Sequence, residues 1–299
     1  MNDAIRQESP EQAEAGSFVD LLRIEELDKN LFRGHCHAGA PLRAFGGQVA
    51  AQALTAAGRT MTPGRLVHSL HSYFLRPGDP RKPIDYQVDR VRDGFSYATR
   101  RVTAVQRDEV IFTLSASFKV PEATPQRHRA MPPVPAPEDL PDPFADWRRT
   151  APQDPERASA LRTLQMRFVP ADAPGMPAEL PGVPQQFVWL RTGTPLPQDD
   201  PLLQVCALTY LSDLTLASTT ALHLQGDRAG QAAAPRVQLA SLDHAMWFHR
   251  PFRADEWLLF AQRSPSAGDG RGLALGEFYD RSGELVASAV QEALLRQQA

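Results

Sequence analysis

The chain contains a copy of itself. Sliding the sequence by 174 residues lays Phe74 on Phe248, Arg76 on Arg250 and Pro77 on Pro251, with Tyr73 on Trp247 and Tyr86 on Phe260. Gly94 falls on Gly268 and Ile111 on Leu285, and the shift holds without a gap for about fifty residues. Identities are few, so the repeat rests on the order and spacing of elements. In the first copy "FGGQVAAQALTAAGRTM" (45–61) has helical periodicity, and strand-like segments follow at 65–77, 84–92, 95–106 and 109–120. The turns are "RDG" at 92–94 and "RD" at 107–108. In the second copy "DDPLLQVCALTYLSDLTLASTTALHL" opens on an acidic cap with Pro201 in the first turn and predicts one long apolar helix. Strands are expected after it near 236–250, 256–264, 270–280 and 284–295. "LQMRFVP" and "QQFVWLRTG" are strand-like segments before that helix, and "SFVDLLRIEELDKN" predicts a short helix capped by Ser17. An open antiparallel edge needs a partner. Two such copies therefore join sheet edge to sheet edge, with their helices against the concave face.

Composition shifts between the copies. Ten prolines fall between Pro121 and Pro155. Proline lacks an N–H and fixes φ, so this stretch is neither a central strand nor a helix interior, and it predicts an extended surface linker. The expected organisation is a disordered start over 1–16, a first unit over 17–120, the linker over 121–158 and a second unit over 159–299.

The formal charge of −3 gives no sign of a general nucleic-acid or anionic-membrane binder. No apolar run is expected to reach the roughly 20 residues of a membrane span, and "MNDAIRQESPEQAEAG" lacks the apolar core of a signal peptide. Cys36 and Cys206 are the only cysteines, too few for a disulfide framework, which points to a reducing compartment. The expectation is a cytoplasmic protein with neither nucleic-acid nor membrane partners. The histidines of "HCH" (35–37) and the pair His244 and His249 fit no usual zinc spacing, and His68 and His71 fall on different faces of a strand, so no metal is expected.

Five segments, "RAFGGQVAAQAL", "HSLHSYFLRPGDPRKPIDYQVDRVRDGFSYATRRVTAVQ", "SDLTLAS", "LDHAMWFHRPF" and "VASAVQEALLR", resemble the acyl-CoA thioesterase II family, in order over roughly residues 17–296. The resemblance implies an α+β double hotdog, two fused hotdog units each with a long helix packed on an antiparallel sheet. It also implies hydrolysis of acyl-CoA thioesters to free acid and CoA, with no cofactor. Hotdog units usually pair further, so a homodimer or homotetramer is expected. The family's catalytic trio is an aspartate on the second helix, a threonine or serine on the next strand and a glutamine on the last strand. By motif these carry over to Asp213, Ser241 and Gln291. Serine in place of threonine keeps the hydroxyl and loses the methyl that fixes its rotamer. Under the repeat, Gln291 faces Ser117, Ser241 faces Val67, and Asp213 aligns by its helix motif with Gln48. One active site per chain is therefore expected.

Thioester hydrolysis needs a held water, a base and donors for the oxyanion. Asp213 fits the base, its pKa raised by burial, and Ser241 and Gln291 fit the groups that orient water. No covalent acyl-enzyme is expected. Gly46 and Gly47 open a helix, so Gly47 is a candidate oxyanion donor at the positive end of the dipole, against the alternative that the pair only allows close packing. Arg76 and Arg250 recur in both copies and suggest a structural role at strand ends. "RR" at 100–101 and 148–149 suggests solvated surface. Two rival readings remain. A non-catalytic acyl-CoA binding or sensing module would keep the acyl tunnel without the chemistry. A hotdog enoyl-CoA hydratase would need an aspartate–histidine pair on a hydratase-type loop, and no such motif is present.

Overall fold

In a computed structural model of the chain the described residues are 17–36, 43–145, 163–174, 176, 182–225 and 237–297. The first copy supplies β1 (Ile24–Asp28), β2 (Leu31–Gly34), β3 (Leu66–Phe74), β4 (Ile84–Asp93), β5 (Tyr97–Gln106) and β6 (Glu109–Lys119). The second supplies β7 (Leu164–Phe168), β8 (Gln185–Thr192), β9 (Val237–Ser241), β10 (Asp243–Phe248), β11 (Leu258–Gly268), β12 (Arg271–Tyr279) and β13 (Leu285–Gln297). The helices are α1 (Phe18–Leu21), α2 (Gly46–Arg59), α3 (Pro201–Ser212) and α4 (Leu216–Thr219). The strands form one sheet in the order β1-β2-β4-β5-β6-β3-β10-β13-β12-β11-β8-β7, with β9 beside β13.

That order is a palindrome of the repeat, and β3 against β10 is the expected edge-to-edge joint. Ala245 pairs with His71 there, and 245 is 71 moved by 174. A local two-fold axis therefore passes through this pair. The irregularity between Val67 and Ser69 in β3 corresponds to Leu242, where the second copy breaks into β9 and β10.

The last strand departs from the simple shift. Arg271 pairs with Leu294 in the second copy, and Tyr97 pairs with Lys119 in the first. The first residues differ by 174 and the second by 175. The β12–β13 turn carries one extra residue, so Gln291 corresponds to Ala116 and not to Ser117. A one-residue slip turns a side chain to the other face of a strand. Ser117 indeed lies on the far face, bonded to His68 Nε2 at 2.8 Å. The corrected equivalence also matches two ion pairs, Arg76 with Glu109 and Arg250 with Glu284, and so supports the structural reading of both arginines.

Four expectations differ. "IEELD", within the segment expected to be helical, is strand β1, paired with "LFRG" as β2; β1 buries only Ile24, so it is an edge strand with little apolar signal. The predicted long helix stops at Ser212, with Asp213 as its C-cap, and resumes as α4 and a 3₁₀ turn. Pro201–Leu224 does have a span's length and a mean hydropathy of 1.2, contrary to the expectation that no run would, yet 72% of its most apolar window is buried inside the protein. Finally, Arg100 is 1% exposed rather than solvated. Its guanidinium donates to Thr60 Oγ1, to the carbonyls of Thr60, Arg92 and Thr99, and to Asp93 at 2.7 Å. Residues 148–149 lie outside the described residues.

Helix α2 packs on β4–β6, α4 on β11–β13, and α2 and α3 against each other. Apolar burial between helices and sheet is the main stabilising term. The opposite face of the second copy has its own cluster, including Trp189, Trp257 and Leu259, covered by Met131, Val134 and Leu140 of the proline-rich segment. Trp189 Nε1 donates to Pro135 O at 2.9 Å, which fixes that crossing. Two helix-plus-sheet units joined through one continuous sheet make this a double hotdog.

Candidate active site

Helix α3 begins where Asp200 accepts a hydrogen bond from Leu203 N at 2.9 Å, with Pro201 in the first turn, where its missing N–H is no loss. Eleven residues on, the helix stops beside the start of α2. A Cβ on Gly46 would stand 2.8 Å from Asp213 Oδ2 and 2.8 Å from Phe74 Cε1. Only glycine lets α2 come that close to the carboxylate. A Cβ on Gly47 would stand 2.6 Å from the Tyr210 carbonyl and 2.6 Å from the Phe45 ring. The Gly47 N–H meanwhile hydrogen-bonds Asp213. The glycine pair thus packs closely and brings a helix N-terminus up to an acid. In this state the Gly47 donor faces Asp213.

The three residues carried over by motif come together. Gln291 on β13 donates from Nε2 to Asp213 Oδ1 at 2.6 Å. Ser241, the last residue of β9, donates to the same oxygen at 3.4 Å, a long bond. Ser241 pairs with Ala293 across the ladder, two residues from Gln291, so the alternation of β13 aims Gln291 inward beside it. Gln291 is fully buried, and its Oε1 has no hydrogen-bond partner among the described residues.

Asp213 is half-buried by accessible surface yet densely surrounded by protein. Desolvation dominates and raises its pKa to about 6; Gln291, Gly47, Ser241 and the charge of Arg43 pull the other way. A carboxylate with that pKa is ionised at neutral pH and still a competent base. Beneath it, Ser212 Oγ donates to Thr209 O at 2.9 Å and lies 2.8 Å from His244 Nε2. His244 Nδ1 is buried without a partner among the described residues. Burial holds the His244 pKa down to about 4, so it is neutral when Asp213 titrates. No local sequence pattern marks His244 as a neighbour of the acid; its contact with the residue before Asp213 comes from the fold.

Among the described residues, the first copy lacks this trio. Val67, the counterpart of Ser241, and Ala116, the counterpart of Gln291, are buried and apolar. The Gln48 amide donates to the carbonyls of Leu21 and His35. A cleft of about 470 Å³ lies beside Gln48 and Cys36, and another of about 520 Å³ lies by Arg191 and Trp257. Neither is lined by Asp213, Ser241 or Gln291.

Comparison with known proteins identifies the family. The family profile described as acyl-CoA thioesterase matches residues 163–294, and that described as acyl-CoA thioesterase N-terminal domain matches residues 35–119. The chain is 37% identical over 288 residues to the acyl-CoA thioesterase 2 of Haemophilus influenzae, covering 94% of this chain and 97% of that one. It is 36% identical over 288 residues to mouse acyl-coenzyme A thioesterase 8, covering 93% of this chain and 88% of the relative. The crystal structure of acyl-CoA thioesterase II TesB2 from Mycobacterium marinum is similar, with a TM-score of 0.79, 45% identity, and coverage of 94% of this chain and 98% of that one. With both profiles matched in order and an acid, an amide and a hydroxyl converging at one point, the chain belongs to the acyl-CoA thioesterase family.

Proposed function

We propose that this chain hydrolyses acyl-CoA thioesters to the free acid and CoA, with Asp213 as general base. The observation that carries the reading is the convergence of Gln291 Nε2 and Ser241 Oγ on Asp213 Oδ1. Asp213 takes one proton of a water while the water oxygen bonds to the thioester carbon. The unpartnered Gln291 Oε1 is an acceptor for the water's second proton. Negative charge develops on the former carbonyl oxygen and is stabilised by the positive end of α2. The tetrahedral adduct collapses, the C–S bond breaks, and the CoA sulfur takes the proton held by Asp213. No bond to the protein forms at any step.

Thiol release from acyl-CoA, followed with a chromogenic disulfide, tests the activity. One turnover in ¹⁸O-labelled water tests the route: label is expected in the acid, with no acylated protein trapped by hydroxylamine. Binding of acyl-CoA without thiol release above background would establish the sensing module instead.

A further inference from the structure

We propose that Arg43 is a phosphate-binding residue at the mouth of the site, gripping the anionic nucleotide end of the CoA group. The inference rests on the hydrolase reading above and names a contact for the part of the substrate remote from the chemistry. Arg43 is tethered at both ends. Its backbone lies three residues before Gly46, where an added Cβ would touch Asp213 Oδ2 at 2.8 Å. Its guanidinium donates from Nη2 to Leu239 O at 3.0 Å, and Leu239 lies two residues before Ser241 on β9. The side chain thus bridges from the loop before α2, in the first copy, to the strand that ends in Ser241, in the second. Its charge is close enough to stabilise ionised Asp213.

Several features suit it to an anion. Arg43 is exposed and forms no ion pair among the described residues, and its Nε and Nη1 have no hydrogen-bond partner there. The bond to Leu239 O orients the fork without neutralising it. A planar guanidinium whose other donors are unpaired among the described residues matches two phosphate oxygens, which an ammonium cannot do. The carboxylates on the adjoining strands are engaged already: Glu292 by Arg271 at 3.1 Å, and Asp243 by the Glu292 N–H at 2.6 Å. They leave the Arg43 charge available to a ligand carrying several negative charges.

The test compares one acyl group on two thiols, CoA and N-acetylcysteamine, which keeps the thioester but has no phosphate. In Arg43→Gln the KM for acyl-CoA is expected to rise about tenfold, the loss of one charge-assisted contact, with kcat changed less than about threefold. The KM for the truncated thioester should change less than twofold. Arg43→Lys should recover part of the loss on acyl-CoA. In the wild type, added NaCl should raise the KM for acyl-CoA and leave that of the truncated substrate unchanged, which serves if Arg43→Gln folds poorly. Equal KM changes on both substrates, or none on either, would overturn the phosphate contact while the hydrolase reading stands. No thiol release from either substrate by the wild type would refute both.

Discussion

Replacing Asp213 by asparagine separates the two consequences of burying this acid. Its pKa rises from 3.8 to about 6. A tenfold change in proton affinity corresponds to about 1.4 kcal/mol, so holding the group ionised in the fold costs about 3 kcal/mol before solvent access is counted. Asp213 is half-buried, which trims the cost to about 1–2 kcal/mol. Because the folded state prefers the protonated acid, the group is harmless below pH 3.8 and its cost is complete above about pH 6. Asparagine keeps an acceptor for Gln291 Nε2 and carries no charge. Asp213→Asn should therefore unfold about 2–5 °C higher than wild type at pH 8, and the gap should close as the pH falls from 6 toward 4. Both proteins contain His244, whose lowered pKa acts with the opposite sign, destabilising the fold as the pH falls below 6.5; that contribution cancels in the difference. Turnover should fall by about 10²–10⁴-fold. The assay is thermal unfolding at several pH values beside thiol release. A melting gap equal at pH 5 and pH 8, or a variant retaining a tenth of wild-type turnover, would refute the account.

Gln291→Ala removes a donor that lowers the Asp213 pKa, so the acid limb of kcat/KM should move above pH 6, and kcat should drop by about 10–100-fold; an unmoved limb contradicts the hydrogen bond as the tuning element. Gly47→Ala places a methyl 2.6 Å from the Tyr210 carbonyl, and urea unfolding should show a loss of about 1–3 kcal/mol together with lower turnover. Arg100→Met strands the carbonyls of Thr60, Arg92 and Thr99, so the urea midpoint should fall by an amount worth about 2–4 kcal/mol with unchanged m, while kcat stays within twofold of wild type.

Much of this architecture was legible because alternation and turn chemistry repeat. "RD" at 107–108 turns β5 into β6 with both residues at positive φ, 53° and 62°, as a tight two-residue hairpin demands. The β3–β10 joint followed from the need to close an edge. Two things were not legible. The extra residue in the β12–β13 turn leaves no trace in a gapless alignment of weakly similar strands, yet it decides which residue of the first copy corresponds to Gln291. The break after Ser212 has no proline or glycine to announce it. It arises from tertiary contacts: Gln291 and Gly47 hold Asp213, and Thr215 accepts from the buried Gln262 Nε2 at 2.8 Å, so α4 restarts in a new direction. The trio itself was visible only through the family resemblance, since an aspartate, a serine and a glutamine scattered over about eighty residues have no local signature.

The corrected equivalence also bears on why one copy alone holds the acid. Two copies related by an axis through His71 and Ala245 would place two sites near one another. Each ionised acid would carry its own desolvation cost, and the pair would repel. By the helix motif Gln48 of the first copy answers to the acid, and its amide ties the carbonyls of Leu21 and His35. Gln52, one turn later, bonds the same two carbonyls and accepts from Tyr86 Oη at 2.8 Å. A position that destabilises the second copy thus helps secure α1 and β2 onto the first. Restoring an acid there by Gln48→Asp would shorten the side chain, break that tether and bury a second charge, with Val67 and Ala116 offering it no hydrogen bond. The expected result is a less stable protein with no gain in turnover.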